Sequence, residues 1–191
     1  MTGLWRTLQA DHDLIWELLD EITGGSGRPH NDDRVQQRLM RRLVTVQSAH
    51  EFAEEAVVWP LVRRHCPHGD QLADEALQQE CMLKRQLNEL YHLRPGTQEF
   101  DEGVNSVAAE NRDHLSYEQN QAWPRLADAL SDEELDRAAR AWAAARRAAP
   151  TRPHPHLPAS PAVLRAVAPV LAVRDRLADA VLRQRAVTPT P

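Results

Sequence analysis

The sequence predicts an all-α protein, with four antiparallel helices packed as a bundle and additional C-terminal helices. Three observations predict it. Ala, Leu, Arg, Glu and Gln, all good helix formers, dominate the chain, and aromatic residues supply only 5% of it. Apolar residues recur at three- and four-residue spacing over long stretches that Gly- and Pro-rich breaks separate. One string also occurs twice. His50-x-x-x-Glu54 runs on to Trp59-Pro60, and His114-x-x-x-Glu118 runs on to Trp123-Pro124 at the same offsets.

The first helix spans about Thr2 to Thr23, where Trp5, Leu8, His12, Ile15, Leu19 and Ile22 form one stripe. Gly24 to Pro29 ends it in a loop. Asn31, Asp32 or Asp33 caps a second helix that reaches about Arg64. Its stripe is Leu39, Leu43, Val46, His50, Ala53 with Glu54, Val57 and Leu61, and Pro60 must kink or interrupt it. His65 to Asp70 is a turn. The third helix, about Gln71 to Leu93, carries Ala73, Ala76, Glu80, Leu83, Leu87 and Leu90 on one face. Arg94 to Thr97 breaks the chain before a fourth helix from about Gln98 to Leu130, with Phe100, Val104, Val107, Asn111, His114, Tyr117/Glu118 and Gln121 in its stripe. These helices make residues 1–130 one unit. Ser131 to Glu134 is a capping box for an additional helix over 131–149. The proline-rich stretch 150–161 is extended, and 162–191 holds a last helix interrupted near Pro169 and a frayed tail at Thr188 to Pro191.

Residues four apart lie on one face of a helix, so each repeat presents an imidazole beside a carboxylate. All four bundle helices place a metal-competent group in the apolar stripe: His12, His50 with Glu54, Glu80, and His114 with Glu118. Burying an unpaired carboxylate costs on the order of several kcal/mol, and neighbouring ones repel. A pair of cations removes both penalties, and no cluster of core Lys or Arg is expected to do so. Mixed His and carboxylate ligation suits Fe, Mn or Zn. Glu51 and Glu55 are expected to be solvated, and Trp59 and Trp123 to pack in the core. Tyr117 is expected to donate a hydrogen bond near the ligands or to pack beside them. Cys66 and Cys81 read as unpaired thiols, and His154-Pro155-His156 as part of a solvated tail.

These residues resemble the hemerythrin-like (HHE cation-binding) family, on Asp11-His12, His50-x-x-x-Glu54-Glu55 with Trp59-Pro60, and His114-x-x-x-Glu118 with Trp123-Pro124. The resemblance covers about residues 1–130, and the tail resembles those of some actinobacterial members. It implies an up-down-up-down four-helix bundle holding two non-haem Fe ions with oxo or hydroxo and carboxylate bridges. His12, His50, Glu80 and His114 become terminal ligands, and Glu54 and Glu118 bridging ones. Where the family has a helix-three histidine this chain has Glu80, and Lys84 stands at the offset of a second one. More anionic oxygen ligation favours ferric iron over reversible O₂ carriage. The expected function is reaction with a small oxidant, H₂O₂, in a catalase- or peroxidase-like cycle. The alternative is a module that binds O₂, NO or iron reversibly without turnover. The net charge of −5 gives no case for nucleic acid. Nothing reads as a signal peptide or membrane span, so a cytoplasmic setting is expected.

Overall fold

The computed structural model describes residues 3–24, 32–156 and 161–187. The loop at 25–29, Asn31, residues 157–160 of the proline-rich stretch and the 188–191 tail lie outside the described residues. In order, the elements are α1 (Gly3–Thr23), α2 (Asp33–Ala53), a first π-helical segment (Glu54–Val58), α3 (Trp59–His65) and α4 (Gly69–His92). They are followed by α5 (Gln98–Tyr117), a second π-helical segment (Glu118–Ala122), α6 (Trp123–Ala129), α7 (Asp132–Ala148) and α8 (Pro161–Val187). No strand occurs among the described residues. The bundle has four arms: α1, α2 with α3, α4, and α5 with α6.

Local chemistry sets the boundaries. The Asp32 carboxylate accepts from the Arg34 N–H at the start of α2, and the Thr97 hydroxyl accepts from the Phe100 N–H at the start of α5. Ser131 and Glu134 form the expected capping box of α7. The corner between α3 and α4 is tight. His68 is left-handed at φ 55°, and a Cβ on Gly69 would lie 2.1 Å from the Val62 carbonyl oxygen, so only glycine fits there. Pro169 does not interrupt α8, contrary to expectation: a proline removes one backbone donor, and the helix runs through it.

Two apolar clusters fill the bundle. One includes Leu8, Ala53, Ala76 and Ala122, and the other Ile15, Leu43, Leu87 and Val107. Each fully buried leucine contributes about 1.5–3 kcal/mol. On every arm a polar residue separates the clusters: His12, His50, Glu80 and His114, each fully buried. The layer between two apolar plugs is therefore polar. The helix α7 packs against α1, α2 and the first π segment, and α8 lies on that π segment and on α7. No helix among the described residues is long and apolar enough to cross a membrane.

Candidate metal centre

Both repeats adopt the same local deformation. The Trp59 N–H bonds the Glu54 carbonyl and the Trp123 N–H bonds the Glu118 carbonyl, so one wide turn opens at each carboxylate. Pro60 and Pro124 follow at once and lack the donor that a regular α ladder needs. The kink expected at Pro60 is thus a π turn that starts six residues earlier, at a candidate ligand. Single π turns inside helices occur often at functional sites.

The six candidate ligands meet in one fully buried layer. His12 Nε2 lies 3.2 Å from His50 Nε2 and 2.9 Å from Glu118 Oε2. His50 Nε2 lies 3.3 Å from Glu54 Oε2 and 3.8 Å from Glu118 Oε2. His114 Nε2 lies 3.0 Å from Glu118 Oε1. Ligand-competent atoms form two sets, each within 4.8 Å: His12, His50 and Glu118, and Glu54, Glu80, His114 and Glu118. Glu118 belongs to both.

Neighbouring polar groups face the other ring nitrogens. The Gln119 amide is 3.0 Å from His12 Nδ1, the Gln79 amide oxygen is 3.2 Å from His114 Nδ1, and Asp11 Oδ2 is 3.5 Å from His50 Nδ1. Groups in those places orient an imidazole so that its Nε2 faces inward.

The electrostatics are strained without a cation. Burial and then the Glu118 carboxylate push the Glu54 carboxyl well above the usual range. Burial and then Glu54 and Glu51 do the same to Glu80, against the opposing Trp59 hydrogen bond. Burial alone would raise Glu118, yet His114, His12 and His50 hold it well below. Burial would lower His50, but Glu54, Asp11 and Glu118 raise it well above an ordinary histidine. Both oxygens of Glu54, both oxygens of Glu118 and His114 Nε2 are buried with no hydrogen-bond partner. Orphaned buried acceptors of this kind are rare and costly. A metal cation satisfies them, so the donor set fits one.

Several findings go beyond the sequence reading or correct it. Glu51 and Glu55 are buried, not solvated. Glu51 accepts from Gln47 at 2.9 Å, and Lys84 pairs with Glu55 and lies 3.2 Å from Glu80 Oε2 and 3.9 Å from Glu51. Lys84 is thus a charge inside this layer where none was expected. Trp59 donates its indole N–H to Glu80, and Trp123 packs on the His12 ring with centroids 4.6 Å apart. From α7, Trp142 stands edge-on to His50 at 5.4 Å, and Arg146 bonds Asp11 at 2.6 Å. The sequence shows only that Leu135, Ala138, Trp142 and Arg146 share one face of α7, not what that face meets. The Tyr117 hydroxyl donates to the Leu72 carbonyl at 3.1 Å, and burial with the Glu75 carboxylate pushes its pKa up to about 12. Its ring packs against the apolar cluster of Leu8 and Trp59. Cys66 and Cys81 are free thiols. His154 is docked, not solvated, with Nε2 3.0 Å from the buried Asp175 carboxylate.

A family model described as the hemerythrin HHE cation-binding domain matches residues 4–126. The chain belongs to that family. Hemerythrin HHE domains therefore place this buried layer in a cation-binding context, which its donor atoms fit. The crystal structure of a hemerythrin HHE cation-binding domain-containing protein from Mycobacterium kansasii has the same fold. It aligns with a TM-score of 0.65 and 19% identity, over 77% of this chain and 86% of that one. A DNA nickase from Nostoc sp. is 26% identical over 139 residues, which span 73% of this chain and 38% of that protein. The chain thus covers well under half of that relative's length.

Proposed function

We propose that this hemerythrin HHE protein holds a pair of non-haem iron ions and turns over hydrogen peroxide in a catalase-like cycle. The observation that carries the reading is the shared Glu118, which joins two ligand sets in which the buried Glu54 and Glu118 carboxylates have no protein donor besides the imidazoles. His12 and His50 would serve one side, Glu80 and His114 the other, with Glu54 and Glu118 reaching between them. Bound iron would supply the redox chemistry: one peroxide is oxidised to O₂ while a second is reduced to water.

The chain's own residues do the rest. The apolar clusters above and below the layer exclude bulk water. Gln119, Gln79 and Asp11 orient the imidazoles. Trp59 and Lys84 hold Glu80 in place. Three carboxylates against three imidazoles favour the ferric state, which supports redox turnover over oxygen storage.

The test is to load the full chain with iron, add H₂O₂ and follow O₂ release. Release over many turnovers is expected. A single stoichiometric reaction followed by silence would overturn the enzyme reading in favour of reversible binding of O₂, NO or iron.

A further inference from the structure

The two positions that Glu118 joins have unequal donors. One gathers His12, His50 and Glu118, which is two imidazoles with one carboxylate. The other gathers Glu54, Glu80, His114 and Glu118, which is one imidazole with three carboxylates. Glu54 Oε2 also lies 3.3 Å from His50 Nε2 and can serve both sides. Even then the first position has two nitrogens and the second has one.

The surroundings widen the difference. His50 Nδ1 faces the Asp11 carboxylate at 3.5 Å, and a carboxylate behind a ligating imidazole makes its other nitrogen a stronger donor. His114 Nδ1 faces only the neutral Gln79 amide oxygen, at 3.2 Å. Both Glu80 oxygens accept hydrogen bonds, one from the Trp59 indole and one from Lys84 at 3.2 Å. Glu80 therefore stands in the oxygen-rich set before a metal arrives, and α4 brings no imidazole to the layer.

We propose that the two positions discriminate unequally between metals: the nitrogen-rich one, at His12 and His50, selects iron over manganese, and the oxygen-rich one, at Glu80 and His114, takes either ion. This rests on the proposed metal centre. At a given site divalent manganese binds more weakly than divalent iron. Imidazole suits iron, whereas carboxylate suits manganese. Iron therefore gains most over manganese where nitrogens prevail and least where oxygens do. Two imidazoles with one carboxylate is also a donor set that holds single ferrous ions. The carboxylate at Glu80 thereby sets the metal selectivity of one half of the centre.

The test is competitive loading of the full chain, without oxygen, from mixtures of ferrous and manganous salts, read by elemental analysis after desalting. As manganese is raised over iron, the wild type exchanges one ion and keeps about one iron per chain over a broad range of mixtures. Two variants assign the positions. From an equal mixture, His12→Ala, which keeps the oxygen-rich position, holds a manganese-to-iron ratio at least about ten-fold higher than Glu80→Ala, which keeps the nitrogen-rich one. The wild-type titration stands by itself where a variant fails to fold. Equal ratios in the two variants, or loss of both irons together from the wild type, overturn the unequal selectivity and leave the metal centre standing. A wild type that takes up neither metal overturns the centre and the selectivity with it.

Discussion

Glu118 meets His12 on one carboxylate oxygen at 2.9 Å and His114 on the other at 3.0 Å, and no donor besides the imidazoles faces either oxygen. Glu80, by contrast, is held by Trp59 and Lys84 and serves only one ligand set. Glu80→Ala should therefore lose about one equivalent of metal while Glu118→Ala loses both, read by elemental analysis. Unchanged metal content in Glu80→Ala would remove it from the ligand set. The titrations give a second expectation for the metal-free protein. Glu54 and Glu80 are raised, chiefly by burial, so they bind protons more tightly when folded, and their stability falls as pH climbs above about 4.3. His50 is also raised, so its contribution is full below about 6.5 and is lost as pH rises through the folded value. Glu118 is lowered, so its contribution is present above about 4.3 and is lost as pH falls through the folded value. Between about pH 5 and 8 the first three, joined by Glu51, which burial also raises, outnumber His12, which burial lowers and which acts the other way, so the metal-free protein weakens with rising pH. Cations replace those protons, so the Tm gap between iron-loaded and chelated protein should widen over the same range. A gap that stays constant or narrows would contradict this. The six candidate ligands were legible because each is a polar residue inside an apolar stripe. Lys84, Glu51 and Glu55 were not, because each lies on the flank of its stripe, where burial depends on what packs from outside.

At the scale of elements, the repeated string revealed two paired helices but not the π turns within them. Pro60 and Pro124 announced an interruption, yet the change begins at Glu54 and Glu118, upstream of the residue that causes it. The helix α7 was predicted from its capping box and length, while its bearing on the centre was hidden. That bearing depends on how α7 crosses α1 and α2, which no local period encodes. It delivers Arg146 to Asp11, and Asp11 faces His50 Nδ1. Arg146→Ala should leave the buried Asp11 carboxylate without its cation and weaken metal binding by about ten-fold or more, with the bundle still folded. Arg146→Lys should recover part of the loss. Full affinity in Arg146→Ala, measured by competition with a chelator, would show that α7 only packs.

At the scale of the whole molecule, the chain is a bundle built around a charged layer, with α7 and α8 packed against one side of it. The bundle class, its four arms and its polar layer follow from stripe periodicity. The packing of 150–156 and α8 does not, because it is made through contacts remote in sequence, such as His154 with Asp175. Packing of α7 and α8 on the first π segment explains why Glu55 is buried although it lies off the apolar stripe. A structural bundle with no metal would have to leave Glu54 and Glu118 unsatisfied at its centre. Elemental analysis of the full chain after iron loading and desalting decides between these. The account predicts about two iron atoms per chain, with a Tm that drops when a chelator removes them. Well under one iron per chain, with stability indifferent to chelator, would contradict it.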